Sequence, residues 1–301
     1  MRYKWGIDLG GTKIEGVVLD SNNDLKIVKR LRVPTEQSKG YNHILSQIEL
    51  VIEKLKSETG LIPEKIGMGT PGTLDPQTGA LKNSNTLCLV GMKIKEDIES
   101  RTNLSFILSN DANCFAIAET KMGVVKDLSF VPEIVFGVIM GTGVGGGLVV
   151  HGNVINGLHG IGGEWGHNVL DPNGVVCYCG KKGCVEKVIA GPALESYYKM
   201  KTGKSASLKE IYTYYKNGND IAATETINHL ITNFGKAISV IINILDPEVI
   251  VLGGGVNNIP EIAQKAKEAA TPYVFNGEVK TSFLAPKLGD SAGVFGAALL
   301  A

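Results

Sequence analysis

The chain opens on an apolar run, Tyr3–Leu9, followed by Gly10-Gly11-Thr12 and a second run, Lys13–Asp20. That pattern predicts strand, glycine turn, strand, and a third strand follows over Leu25–Val33. Between 41 and 59, Ile44, Leu45, Ile48, Val51, Ile52 and Leu55 recur at helical spacing, which predicts a helix with one buried face. Ile66–Gly69 and Phe106–Ser109 read as short strands; the second ends at Asn110-Asp111, and a helix follows from Ala112 to Met122. Ile134–Met140 and Gly147–Val150 are strands on either side of a glycine turn. Ser207-Leu208-Lys209-Glu210 matches a capping box and starts a helix. Ile227, Leu230, Ile231, Phe234, Ile238, Ile241, Ile242 and Leu245 form a long helical stripe that Pro247 stops. Val249–Leu252 is a buried strand ending in Gly253-Gly254-Gly255, and Ala292–Leu300 is a helix of small residues. Strands alternate with helices, so the class is α/β.

A length of 301 residues suggests roughly two domains. Lysine plus arginine and aspartate plus glutamate both number 30, so the net charge is zero and nothing draws the chain toward nucleic acid or an anionic membrane. No apolar run reaches the ~18 residues of a membrane span, and no signal peptide precedes Gly6-Ile7-Asp8, so a cytoplasmic location is expected. Three of the five cysteines fall at 177, 179 and 184, which in a reducing compartment reads as metal ligation. Glycine, at 38 residues, is clustered at turns.

Those turns repeat. Ile7-Asp8-Leu9-Gly10-Gly11-Thr12 and Ile139-Met140-Gly141-Thr142-Gly143 are both apolar strands ending in a Gly/Thr turn, which suggests two related domains closing on a shared ligand; two tight hairpins are the alternative. Neither turn has P-loop or dinucleotide-fold spacing. Two such turns can hold the β- and γ-phosphates of a nucleotide through backbone N–H groups. Asp8 is then a carboxylate for Mg²⁺, through water, and Gly253-Gly254-Gly255 admits the adenosine.

This set of residues resembles the ROK family (repressors, open reading frames and sugar kinases) of the actin-like ATPase fold, across nearly the whole chain. The resemblance rests on Asp8-Leu9-Gly10-Gly11-Thr12-Lys13, Asn110-Asp111-Ala112-Asn113, the glycine run from Gly141 to Gly147, Gly163-Glu164-Trp165-Gly166-His167, and the segment from Cys177 to Glu186. It implies a two-domain, ribonuclease H-like α/β fold with an interdomain cleft. The small domain is expected over 1–115 plus 290–301, and the large domain, with a zinc loop, over 116–289. It also implies ATP with Mg²⁺, bound by Asp8, Gly10, Gly11, Thr12, Lys13, Gly141, Thr142, Gly143, Gly145, Gly254 and Gly255, and a hexose as the phosphate acceptor. A homodimer is the expected assembly.

A hydroxyl attacking a γ-phosphate needs a base. Asp111 is the candidate; by itself it also reads as an Asx cap of the following helix, whereas the resemblance implies the catalytic base. By the same resemblance Asn110, Glu164, His167 and Glu186 bind sugar hydroxyls, and Thr70, Pro71, Gly72 and Asn85 line the pocket. Asn85 alone reads equally as a loop asparagine. Cys177, Cys179 and Cys184, with His167, make a closed Cys₃His set of the structural zinc type; three free cysteines in a loop are the alternative. One His167 nitrogen would bind metal and the other face the sugar. ROK repressors carry a helix-turn-helix ahead of the phosphate turn, and Asp8 as the eighth residue leaves no room for one, which favours an enzyme. Residues 72–86 look most like the fructokinase/mannokinase branch, so the expectation is a hexose 6-kinase with fructose first. N-acetylglucosamine kinase and glucokinase are the alternatives.

Overall fold

The structure is a computed structural model that describes residues 2–84 and 86–301. Its elements run β1 (Tyr3–Leu9), β2 (Lys13–Asp20), β3 (Lys26–Pro34), α1 (Tyr41–Thr59), β4 (Lys65–Thr70), β5 (Thr73–Leu74), β6 (Leu81–Lys82), α2 (Ile94–Thr102), β7 (Ser105–Asn110) and α3 (Asp111–Lys121). Then come β8 (Ile134–Met140), β9 (Val144–Val150), β10 (Asn153–Val154), α4 (Glu186–Ile189), α5 (Gly191–Thr202), α6 (Leu208–Asn217), α7 (Ile221–Leu245), β11 (Val249–Gly253), α8 (Pro260–Ala270), β12 (Ser282–Leu284) and α9 (Ala292–Leu300).

The chain divides into two compact units: residues up to Ser129 with Gly147–Gly162 and Lys287–Ala301, and Phe130–Gly146 with Gly163–Pro286. The boundary read at 115 would cut α3. That helix instead stays whole in the first unit, because Gly296 of α9 sits where a Cβ would lie 1.8 Å from the Cys114 carbonyl oxygen. The small residues of α9 have the same function elsewhere. A Cβ on Gly6 of β1 would meet the Ala298 backbone at 2.4 Å, and one on Gly67 of β4 would meet the Ala297 carbonyl at 1.8 Å. On the other face of the sheet the six predicted apolar positions of α1 are all buried.

The two five-stranded sheets have orders β3-β2-β1-β4-β7 and β10-β9-β8-β11-β12. Each lists its strands in the same rank along the chain, third, second, first, fourth, fifth. In the first sheet β1 pairs antiparallel with β2 and parallel with β4, and β4 parallel with β7. In the second, β9 pairs antiparallel with β10, and β11 parallel with β8 and β12. The repeated Gly/Thr turn therefore joins the first two strands of each sheet. The Ser207 capping box starts α6, and Asp220 caps α7, whose C-cap Asp246 adopts left-handed backbone (φ 44°) just before Pro247.

Candidate active site

In the first sheet the parallel strands β1, β4 and β7 run side by side, and their C-terminal ends carry Asp8, Thr70 and Asn110. Ligands in open α/β sheets bind at such ends. Register places Asp8 opposite Glu15 on β2 and Gly69 on β4, and Thr70 beside Asn110. Glu15 is 1% exposed and is neutralised by Arg30 and by Arg32, whose Nε donates to it at 2.7 Å. Among the described residues Asp8 has no such pair. Burial, then the negative charges of Asp111 and Glu15, lift its carboxyl from 3.8 to about 6, against the pull of Lys13 and Arg32. The turn that follows closes by Gly10 N–H donating to the Lys13 carbonyl at 3.0 Å, and Thr35 Oγ donates to the Gly10 carbonyl at 2.6 Å.

The cap of α3 is Asn110, whose Oδ1 accepts from the Asn113 N–H at 2.8 Å. Asp111 is the first helical residue. It keeps an exposed edge, but the protein packed about its carboxyl withholds water from the charged form and raises its pKa; the Ala112 N–H, at 2.8 Å, pulls the other way. A carboxylate with raised affinity for protons is suited to taking one. Thr70 is buried, and its hydroxyl donates to the carbonyls of Gly72 and Ser109, so it braces the β4 end. Gly72 has φ 137° and packs where a Cβ would strike the Lys82 carbonyl at 2.6 Å. Asn85 lies outside the described residues.

In the second unit the 141–145 turn is held from three sides. Gly191 N–H donates to the Gly141 carbonyl at 2.8 Å, Trp165 Nε1 to the Gly145 carbonyl at 2.8 Å, and Val144 N–H to Glu186 Oε2 at 3.2 Å. Gly254 (φ 87°) passes Met140 so closely that a Cβ would lie 2.3 Å from its carbonyl. This brings the Gly253–Gly255 turn beside Gly141, with the Gly255 nitrogen 4.0 Å from where a Gly141 Cβ would stand. The glycines expected at the nucleotide in this unit therefore converge.

The ligand atoms of His167, Cys177, Cys179 and Cys184 all lie within 4.8 Å of one another. Cys177 Sγ is 3.6 Å from His167 Nδ1, and Cys179 Sγ is 3.5 Å from Cys184 Sγ. Ligands about 2.3 Å from a tetrahedral ion stand about 3.7 Å apart, so the donor set fits zinc. His167 Nε2, the nitrogen expected to face the sugar, meets Tyr178 Oη at 2.8 Å, and a sugar hydroxyl there has to share or displace that partner. Burial and the charges of Glu186 and Glu164 push the Tyr178 hydroxyl up to about 12. Glu164, Glu186 and the His/Cys set thus surround one tyrosine that the sequence did not single out.

The motifs also missed a cavity of about 300 Å³ within the first unit, lined by Thr70, Thr73, Asn110, Asn113 and Asn156 among others. Asn156 Oδ1 accepts from Ser109 Oγ at 3.0 Å and from Asn113 Nδ2 at 3.2 Å. The Asn156-Gly157 dipeptide after β10 was its available signal, a turn signature.

The ROK family model matches residues 4–301. The N-acetyl-D-glucosamine kinase of Aliivibrio salmonicida is 33% identical over 98% of both chains. Among solved structures, the ROK hexokinase of Thermus thermophilus superposes with a TM-score of 0.88 at 31% identity, covering 99% of this chain and 97% of its own. A ROK family glucokinase from Streptomyces griseus, in complex with glucose and AMPPNP, gives 0.76 at 25% over 99% of both chains. The fold is the two-domain α/β fold of actin-like ATPases. With the family match running over nearly its full length, this chain belongs to the ROK family.

Proposed function

We propose that the chain transfers the γ-phosphate of ATP to the 6-hydroxyl of N-acetylglucosamine. The chain is a sugar kinase; the acceptor, the position phosphorylated and the residue roles are this reading's own. The observation that carries the phosphotransfer is the placement of Asp111, which opens α3 directly after the C-terminal end of β7, in the sheet whose β1 end carries Asp8 and near enough for the two charges to interact. In the transfer, the sugar O6–phosphorus bond forms, the bond from phosphorus to the ADP oxygen breaks, and the O6 proton goes to Asp111. Asp8 is the carboxylate for Mg²⁺ through water, and Lys13 with the turns of Gly10, Gly11 and Thr12, of Gly141, Thr142, Gly143 and Gly145, and of Gly254 and Gly255 hold ATP. Asn110, Glu164, His167 and Glu186 read the sugar hydroxyls, with Pro71 and Gly72 shaping the pocket. Zinc on His167, Cys177, Cys179 and Cys184 would fix the loop that carries two of these groups and leave the chemistry to others.

The acceptor follows the relatives' names, which point to N-acetylglucosamine more than to the fructose read from residues 72–86. A coupled ADP-release assay over fructose, mannose, glucose, N-acetylglucosamine and N-acetylmannosamine tests it. The highest kcat/KM belongs to N-acetylglucosamine; a clear preference for fructose would restore the fructokinase reading. No helix among the described residues is long and apolar enough to cross a membrane.

A further inference from the structure

The cavity of about 300 Å³ lies at the lower end of the range for small-molecule sites, a size for one sugar ring or its substituent. Its lining holds two buried polar atoms with no hydrogen-bond partner among the described residues, Thr73 Oγ1 and Asn113 Oδ1. Thr73 is 9% exposed and Asn113 2%. They come from different elements, Thr73 from the β5–β6 hairpin and Asn113 from the first turn of α3. Native interiors seldom keep such atoms unpaired, and two in one cavity point to a ligand that pairs them.

Several neighbouring polar atoms are already committed. Thr70 Oγ donates to backbone, Asn110 Oδ1 accepts the Asn113 N–H, and Ser109 Oγ and Asn113 Nδ2 both donate to Asn156 Oδ1. This last bond fixes which end of the Asn113 amide is left over: the oxygen, an acceptor only. The Thr73 hydroxyl supplies a donor. Leu74, Pro76 and Leu108 give the cavity an apolar wall, and Gly160 is tucked so tightly against the hairpin that a Cβ would lie 2.8 Å from the Thr73 methyl.

We propose that this cavity seats the substrate's acetamido group. Asn113 Oδ1 accepts its N–H, the Thr73 hydroxyl donates to its carbonyl, and its methyl lies on Leu74, Pro76 and Leu108. A lone hydroxyl can pair with both atoms, but it is too small to span them as the amide does and leaves the apolar wall in water. The inference rests on the kinase reading above and names the substituent recognised at that site.

The test measures kcat/KM for N-acetylglucosamine and glucose on the wild type, Thr73→Val and Thr73→Ser. Valine keeps the shape of threonine and removes only the donor. The ratio of the two sugars' kcat/KM falls about tenfold in Thr73→Val, the size of one lost hydrogen bond, and returns in Thr73→Ser. Equal losses on both sugars, leaving the ratio unchanged, overturn the proposal and make Thr73 a packing residue. A wild type that prefers glucose or fructose overturns the acetamido seat and leaves the kinase intact. A wild type that turns over no sugar overturns the kinase reading. Calorimetric binding of N-acetylglucosamine, weakened by Thr73→Val, would then still support the seat, and no binding would overturn it as well.

Discussion

Asp8→Asn separates what the site needs from what the fold prefers. The unliganded protein holds the Asp8 carboxyl at about 6, lifted by burial and by Asp111 and Glu15. At about 1.4 kcal/mol per pKa unit, keeping Asp8 ionised costs the folded state up to about 3 kcal/mol relative to the unfolded chain. A folded pKa above the unfolded one means that stability is full below about pH 4 and is lost as pH rises through about 6. Asparagine carries no charge and escapes that loss. The variant is therefore more stable than the wild type by about 1–3 kcal/mol at pH 8, and equal to it near pH 4, where both side chains are neutral. Urea unfolding of the unliganded proteins at pH 4.5, 6 and 8 reads the difference. Activity goes the other way: without the proposed carboxylate for Mg²⁺, ADP release drops by about 10²-fold or more. A variant less stable than wild type at pH 8, or stabilised equally at pH 4.5 and 8, refutes the electrostatic account of Asp8.

Asp111→Asn keeps the shape and removes the proposed base, so kcat falls by about 10²–10⁴ while sugar affinity by calorimetry stays within a few-fold; near wild-type turnover would reduce Asp111 to a helix residue. Metal analysis finds about one zinc per chain and none in Cys179→Ser. That variant weakens sugar binding and leaves ATP binding little changed; zinc-free wild type with full activity would refute the structural zinc. Gly254→Ala, forced at φ 87° against the Met140 carbonyl, destabilises the protein by about 1–3 kcal/mol and raises KM for ATP; an unchanged unfolding midpoint would show that the turn has room to relax.

Features whose cause is local were legible in the sequence. The α1 stripe is read from one face of one helix, and Cys177, Cys179 and Cys184 from one loop. The doubled Gly/Thr turn suggested two related domains, and the two sheets share one strand order. Features made by pairing across the chain were hidden. β5 and β6 are two residues each and exist because Thr73 and Leu74 find Lys82 and Leu81. α2 buries only Ile94 and Ile98, too little for a stripe. Asn110 and Asp111 are adjacent, and which one caps α3 is decided by backbone geometry (φ −73°, ψ 166° at Asn110) that composition does not carry. Thr73 Oγ1 and Asn113 Oδ1 stand out only because no described residue pairs with them, and that too is a property of the folded chain.

The bare backbone under α9 constrains when the first unit can exist. Gly6, Gly67 and Gly296 were shaped for contacts with partners up to hundreds of positions away in the sequence, and a ribosome delivers Gly6 long before Ala298. Until residues 292–300 emerge, β1 and β4 present a groove of exposed main chain with nothing to fill it. The second unit's own strands and helices are complete by Pro286. Vectorial synthesis thus puts the units in reverse order, the later-starting one able to finish first. Over that interval the early sheet is the part whose main chain waits uncovered.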